Sequence, residues 1–207
     1  MEILSHRGYW VDSAERNTAA AFERSFDLSY GTETDVRDLL QQLVISHDPA
    51  AEDSMPFADM LALVGSRALP LALNVKADGL AHSMREALDF AGVETAFVFD
   101  MAVPDMRSYF SAGIPVFTRM SEVEGEAVWL DRAAGVWLDA FEYLWYDREV
   151  LLRLLDADKR VCVVSPELHG RDYQPAWDLL AEFASSPNLM LCTDKPEDAT
   201  RYFEVAR

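Results

Sequence analysis

The sequence predicts an α/β fold built on a parallel sheet, and three observations support that prediction. Short apolar runs alternate along the chain with segments whose apolar residues recur at helical spacing. Eight β segments of this kind occur, each followed by a helical or weakly helical connection. No linker, low-complexity tract or strong shift in composition divides the 207 residues. Eight β/α units in such a chain suit a compact (β/α)8 TIM barrel, with an open doubly wound sheet as the alternative.

The predicted elements are short and are separated by polar residues, glycines or prolines. We place strands at residues 3–5, 32–36, 71–75, 95–99, 115–118, 135–140, 161–165 and 189–193. We place helices at residues 18–30, 57–64, 79–90, 103–111, 148–156, 176–183 and 197–205, with a weak acidic segment reaching residue 130. Asn17 is the predicted N-cap of the first helix, and residues 48–56 are predicted to be irregular because they are polar.

Length, composition and charge bound the class of protein. Half of the residues are hydrophobic, which is enough for one sizeable core, so we predict a single domain over residues 1–207. Acidic residues number 36 and basic residues 18, which gives a formal charge of −18 and a pI near 4.4. That charge argues against nucleic acid and against an anionic membrane as partners. It remains compatible with one phosphate held by a few local cations.

The first residues and the cysteines lead us to expect a cytoplasmic protein. No basic region followed by an apolar run stands at the start, so a signal peptide is not expected. No apolar stretch is long enough to span a bilayer. Cys162 and Cys192 lie singly within apolar runs, which predicts buried, reduced thiols. The oligomeric state stays open.

The segment from residue 31 to residue 48 is the most informative part of the chain. Glu33 and Asp35 are two positions apart on a predicted strand, so their side chains share one face. Two carboxylates on a buried face need a counter-charge, and a hard divalent cation is the natural candidate. His47 follows a second apolar run that a strand–loop–strand excursion would return to the carboxylates. The alternative is a half-exposed strand whose acids are solvated.

Polar residues follow the predicted strands at the end where a barrel would bind its ligand. At the first strand end, Arg7 offers a fork of donors suited to phosphate, and Gly8 allows close backbone approach. His6 and His47 beside a phosphate would supply a general acid and a general base, although His6 is as readily a polar residue of the rim. The other strand ends carry Asn74 and Lys76, Asp100, Arg119, Asp139, Glu167 with His169, and Asp194.

Four motifs, taken in order, resemble the glycerophosphodiester phosphodiesterase family. They are His6-Arg7-Gly8, Asn17-Thr18 with Ala21-Phe22, Gly31-x-Glu33-x-Asp35-Val36, and His47-Asp48. Thr193-Asp194-Lys195-Pro196 is similar to the family's closing Thr-Asp-x-Pro. The resemblance is close over the first 48 residues and less specific in the middle of the chain. It implies a (β/α)8 barrel that hydrolyses phosphodiesters with a divalent metal, Mg²⁺ or Ca²⁺.

The resemblance also implies roles for individual residues. It makes His6 and His47 the acid–base pair, Glu33 and Asp35 metal ligands, and Arg7 a phosphate contact.

One position of the third strand departs from the family pattern. The family continues there with Glu-x-Lys, where the glutamate is a further metal ligand, but this chain has Asn74-Val75-Lys76. Lys76 is kept as a phosphate-contacting candidate. Asn74 is a candidate ligand that offers an amide oxygen without a charge.

Further departures concern the substrate side of the expected site. The family's small helical subdomain after the His-Asp motif is short or missing here, because only residues 48–57 are available. Glu167 could replace the missing charge or bind a polar substrate group, and an ion pair with Arg171 is the plain alternative. Asp139 could belong to the metal shell, contact a substrate hydroxyl, or be a rim residue.

The function expected on these grounds is metal-dependent hydrolysis of a glycerophosphodiester or a similar small phosphodiester. Direct attack by water and prior closure of a cyclic phosphate by a substrate hydroxyl both remain open, as does the division of roles between the histidines. A barrel that binds a phosphorylated ligand without turnover is the alternative, and Asn74 favours it. A cytosolic scaffold whose acidic surface binds a basic protein is a third reading.

Overall fold

The computed structural model describes residues 1–205, which contain ten strands and seven α-helices. The strands are Glu2–His6 (β1), Gly31–Leu39 (β2), Gln42–Ile45 (β3), Met55–Pro56 (β4), Leu71–Val75 (β5), Ala96–Phe99 (β6), Phe117–Met120 (β7), Gly135–Leu138 (β8), Arg160–Val164 (β9) and Leu189–Thr193 (β10). The helices are Ala19–Asp27 (α1), Phe57–Val64 (α2), Ala81–Ala91 (α3), Met106–Ser111 (α4), Arg148–Asp156 (α5), Gln174–Ala181 (α6) and Pro196–Val205 (α7). Short 3₁₀ helices lie at Ser13–Glu15 and Pro166–His169.

The chain divides into two compact units. The first unit is Ser5–Val116, and the second is formed by Met1–Leu4 together with the chain from Phe117 onward.

Parallel strands form the centre of the first unit. Strand β2 pairs in parallel with β5, and β5 pairs in parallel with β6. The β2–β5 register sets Glu33 opposite Ala72 and Asp35 opposite Asn74. All five residues of β5 are buried, as expected for a parallel strand covered on both faces. The sheet therefore presents Asp35 and Asn74 side by side.

An antiparallel hairpin is added to this parallel sheet. Strand β3 returns against the far end of β2, with Val36 opposite Ile45, and β4 pairs antiparallel with β3. The turn residues Leu40 and Gln41 both have left-handed backbones, with φ of 49° and 69°. Two consecutive positive φ angles match the right-handed twist of the flanking strands. This turn carries the chain back from β2 toward His47.

The second unit has four parallel strands, with β7, β8, β9 and β10 paired in that order. Its apolar core includes Val136, Val163 and Leu191 from the strands and Trp177 from α6. Gly135 is required for close strand packing, because a Cβ there would overlap a carbonyl oxygen of β9 and approach the ring of Phe117 to 2.6 Å.

Most predicted elements are present, and the departures occur at their ends. The irregular segment predicted at residues 48–56 is wrong at its end, where Met55 and Pro56 form β4 against the hairpin. The first helix stops at Asp27 instead of residue 30, because Ser29 has a left-handed backbone with φ of 62°. The helix predicted from residue 103 begins at Met106. The prediction of buried thiols is confirmed, since Cys162 and Cys192 are buried and free.

Within residues 1–205, no helix has both the length and the apolar character needed to cross a membrane.

Candidate active site

Asp35, in the middle of β2, is the fully buried carboxylate of the candidate site, with 0% exposure. Its Oδ2 lies 3.1 Å from Arg7 Nε and accepts a hydrogen bond from Asn17 Nδ2 at 2.9 Å. Its Oδ1 lies 3.2 Å from Lys76 Nζ. Arg7 follows β1 and Lys76 follows β5, so neighbouring strand ends bring two cations to one carboxylate. This arrangement offsets the cost of burying the charge.

Glu33 is the second buried carboxylate, two residues earlier on the same face of β2. Its Oε2 accepts a hydrogen bond from the backbone N–H of Arg7 at 3.3 Å and lies 3.9 Å from His6 Nε2. Burial, and next the charge of Asp35, raise the pKa of Glu33 well above its ordinary value, while Arg7 and Lys76 act in the opposite direction. Additional positive charge at this place would favour the ionised carboxylate.

Asn74 completes a row of oxygen-bearing side chains. It is 8% exposed and stands opposite Asp35 in the β2–β5 register. Its Nδ2 donates a hydrogen bond to Asp100 Oδ2 at 3.3 Å. Its Oδ1 is buried and has no hydrogen-bond partner among residues 1–205. The amide is therefore satisfied at its nitrogen end only.

Three residues around the cluster have left-handed backbones. Arg7, Asn17 and Asp100 have φ of 58°, 59° and 64°, in the left-handed region that costs energy for residues other than glycine. Gly8, with φ of 80°, lies against α1, where a Cβ would come within 2.7 Å of Ala21 Cβ. Arg7 is the least usual of the three, because asparagine and aspartate tolerate this region better than other side chains.

Asn17 is a site residue that the sequence prediction misassigned. It was predicted as the N-cap of α1, but that position belongs to Thr18. Asn17 instead donates to Asp35 through Nδ2 and accepts from Thr34 Oγ1 through Oδ1 at 2.8 Å. Its backbone N–H also donates to the carbonyl of Arg7 at 2.9 Å. The Asn-Thr pair within the family-like motif was the signal that could have assigned it to the site.

The two histidines lie in different surroundings. His6, at the end of β1, is 16% exposed, and its carbonyl accepts a hydrogen bond from Trp10 Nε1 at 3.1 Å. His47 follows β3, is 45% exposed, and its Nδ1 lies 3.0 Å from Asp48 Oδ1.

A polar cleft of about 550 Å³ is lined by both His47 and Arg7. The backbone N–H of Ser46 donates to the carbonyl of Asp35 at 3.0 Å, which fixes the loop before His47 to β2. The cleft is lined by Arg7, Ser13, Arg16, Asn17, Thr18, Ile45, Ser46, His47, Asp48, Asp53, Ser54 and Met55.

The oxygens of this cluster suit a hard cation. In the part of the chain that the structure describes, no three His, Cys, Asp or Glu side chains form a metal-binding group, so a cation held by Glu33 and Asp35 would need oxygen ligands of another kind, for which the Asn74 amide is the candidate. Asp35 Oδ1 and Asn74 Oδ1 are both buried without a hydrogen-bond partner among residues 1–205, although Lys76 is ion-paired with the former. Of the two, Asn74 Oδ1 also lacks a cationic neighbour in the contacts given above, and a buried oxygen of this kind suits an oxygen-preferring cation. Glu33, Asp35 and Asn74 therefore fit Mg²⁺ or Ca²⁺.

Asp139 and Glu167, the remaining predicted site residues, belong to the second unit. Asp139 Oδ1 lies 2.7 Å from His169 Nε2 and accepts a hydrogen bond from the backbone N–H of Ala140. Glu167 accepts short hydrogen bonds from the hydroxyls of Ser165 and Thr193, and one from the backbone N–H of Asp194 at 3.1 Å. Their contacts hold the ends of β8, β9 and β10.

Comparison with known proteins finds similarity in structure only. No family model matches the chain, and no curated protein sequence matches it. A glycerophosphodiester phosphodiesterase from Agrobacterium tumefaciens is similar with a TM-score of 0.67 and 16% identity, over 100% of this chain and 99% of that one. A glycerophosphoryl diester phosphodiesterase from Parabacteroides distasonis has a TM-score of 0.72 and 12% identity, over 99% of this chain and 86% of that one.

An enzyme of different chemistry is also similar in fold. Dihydropteroate synthase from Anaplasma phagocytophilum has a TM-score of 0.56 and 12% identity, over 99% of this chain and 97% of that one. These likenesses define the class of the protein as an α/β fold with a mostly parallel sheet, of the kind seen in glycerophosphodiester phosphodiesterases. Because one fold serves several activities, the function has to be argued from the side chains.

Proposed function

We propose that the protein is a metal-dependent phosphodiester hydrolase acting on a glycerophosphodiester or a similar small phosphodiester. The observation that carries the proposal is the pair of buried carboxylates, Glu33 and Asp35, with Arg7 and Lys76 gathered at Asp35. The likeness in fold to two glycerophosphodiester phosphodiesterases supports the same class of reaction.

The proposal includes a closed (β/α)8 barrel formed by one domain over residues 1–207. Parallel pairing within each unit and helices between most strands support it.

A divalent cation, Mg²⁺ or Ca²⁺, is part of the proposed enzyme. Glu33, Asp35 and Asn74 would hold it. When bound, such a cation offsets the charge that develops on phosphate oxygens in the transition state. Ionised Glu33, Asp35 and Asp100 with the cations Arg7 and Lys76 leave a net charge of −1, which a divalent ion would convert to +1. That residual charge complements a monoanionic phosphodiester.

The chain's own cations and imidazoles would do the remaining work. Arg7 and Lys76 would donate to the two non-bridging phosphate oxygens, as donors already held by Asp35. One of His6 and His47 would take the proton of the attacking water or substrate hydroxyl. The other would give a proton to the departing alcohol oxygen as its bond to phosphorus breaks.

The surroundings proposed for the enzyme rest on its charge and its cysteine usage. With a formal charge of −18, neither nucleic acid nor an anionic membrane is proposed as a partner. Buried free thiols support a cytoplasmic location.

Turnover of a small phosphodiester with added Mg²⁺ or Ca²⁺, and its loss in excess EDTA, tests the proposal. His6→Ala and His47→Ala should each lower kcat about a hundredfold or more, the usual effect of removing an acid–base group. His82→Ala is the matched control, because His82 is 86% exposed on α3 and pairs only with its helix neighbour Glu86 among the contacts described. Wild-type turnover by either folded site variant would remove that histidine from the mechanism.

A phosphate-binding protein without turnover is the second candidate. The neutral Asn74 in the ligand row favours it, because two carboxylates and an amide hold a cation less strongly than three carboxylates. Binding of glycerol phosphate without hydrolysis of any tested phosphodiester would support this candidate over the first.

A further inference from the structure

Asn74 can serve as a cation ligand only if its amide has one orientation. The Oδ1 end can coordinate a cation, whereas the Nδ2 end carries two hydrogens and would repel it. In the structure Nδ2 donates to Asp100 Oδ2 at 3.3 Å, while Oδ1 is buried without a hydrogen-bond partner among residues 1–205. The bond to Asp100 thus fixes which end of the amide is left for a ligand.

The register of β5 and β6 brings Asp100 close to the Asn74 amide. Phe99 of β6 is paired with Asn74 of β5, and Asp100 is the next residue along the chain. Asp100 has a left-handed backbone, with φ of 64°, directly after its strand. Aspartate is among the non-glycine residues that adopt this backbone most readily.

Asp100 also supplies a charge at the place where Asn74 lacks one. A carboxylate that accepts from the amide makes the opposite Oδ1 more negative by polarisation. Outer partners of metal ligands commonly act in this way, by orienting the ligand and strengthening it.

We propose that Asp100 is a positioning residue that holds the Asn74 amide with Oδ1 directed to the cation site of Glu33 and Asp35. This inference rests on the metal-dependent function proposed above and adds to it a residue that contributes through Asn74. Asp100, at the end of the neighbouring strand, thereby allows the neutral amide of Asn74 to serve as the third cation ligand.

The test is calorimetric titration of the full chain with Mg²⁺ and with Ca²⁺. Asp100→Gly removes the carboxylate and suits the left-handed backbone, so it is expected to fold. It should raise the Kd for the cation about tenfold or more, the usual cost of removing an outer partner. Asp100→Asn keeps an acceptor oxygen and should have a smaller effect. Asp89→Asn, an exposed charge loss on α3, is the matched control and should leave Kd unchanged.

A double-mutant cycle separates positioning from simple loss of charge. If Asp100 acts through Asn74, then Asp100→Gly should have little further effect in an Asn74→Ala background. Additive effects, or a wild-type Kd in Asp100→Gly, would overturn the inference. A wild-type chain that hydrolyses phosphodiesters and binds the cation, with Asp100→Gly unchanged, overturns only the role of Asp100. A wild-type chain that neither binds a cation nor hydrolyses a phosphodiester overturns the proposed function as well.

Discussion

At the scale of single residues, the two buried carboxylates of β2 differ in how their charges are met. Asp35 has Arg7, Lys76 and Asn17 as partners, whereas Glu33 receives one backbone hydrogen bond from Arg7 and faces His6 at 3.9 Å. Burying the ionised form of Glu33 therefore costs free energy, and a bound cation would reduce that cost.

The pH dependence of stability should reveal this cost. Burial and Asp35 raise the pKa of Glu33 above its ordinary 4.5, so the folded chain binds that proton more tightly than the unfolded chain. The stability linked to Glu33 is complete below pH 4.5 and is lost as the pH rises through the raised pKa. In EDTA, Glu33→Gln should therefore be more stable than wild type above this window, and the difference should disappear toward pH 4.5.

Urea unfolding at a series of pH values measures the difference. Glu23→Gln, a charge loss at an exposed position of α1, is the control and should show no such trend. The prediction would be contradicted if the stability of wild type rose relative to that of Glu33→Gln as the pH increases.

At the scale of elements, the β2–β3 hairpin sets the position of His47. The hairpin turns through Leu40 and Gln41, neither of which favours the left-handed backbone it adopts. Leu40 is 89% exposed, so its side chain adds little packing in return. The turn is held by the pairing of its strands rather than by the preference of its own residues.

Replacing both turn residues should stabilise the protein. Leu40→Asn with Gln41→Gly supplies the residue types that suit two positive φ angles, and we expect a gain of about 1–2 kcal/mol in the free energy of unfolding. Leu40→Ala with Gln41→Ala is the control, since alanine retains the backbone strain. Denaturant unfolding compares the two pairs, and an equal effect of both would show that the backbone conformation is not the cause.

At the scale of the whole molecule, charge is the dominant feature. A formal charge of −18 produces self-repulsion that opposes the compact state. Salt screens this repulsion, and the Debye length falls from about 30 Å at 0.01 M to about 3 Å at 1 M.

Raising KCl from about 0.01 M to about 0.5 M should raise the urea midpoint at pH 7, because screening is much stronger at the higher concentration. The gain should shrink toward the pI of 4.4, where the net charge vanishes. The same titration in EDTA, and with the Glu33→Gln variant, is the control. A gain that persists in both comes from general screening and not from a cation bound at the site. A midpoint that falls with salt at pH 7 would indicate that attractive ion pairs outweigh the net repulsion.

Local pattern was sufficient for many of the elements. The predicted bounds of α2, β5, α5 and β10 coincide with the structure, because apolar periodicity and flanking breakers act within a few residues. The conclusion that Glu33 and Asp35 share one face was also available from sequence, since strand alternation is a local rule.

Tertiary structure decided what the side chains do. The contacts of Asn17 with Asp35, and of Asn74 with Asp100, join residues 18 and 26 positions apart. Such contacts depend on strand register and on left-handed turns imposed by packing, and neither is encoded in a window of neighbouring residues. The sequence by itself thus determined which residues carry charge and which strands carry them. Only the folded chain decided that Arg7 and Lys76 meet at Asp35 and that the Asn74 amide donates to Asp100, with its oxygen lacking a hydrogen-bond partner among residues 1–205. Pairing of the strands brings these distant positions within bonding distance.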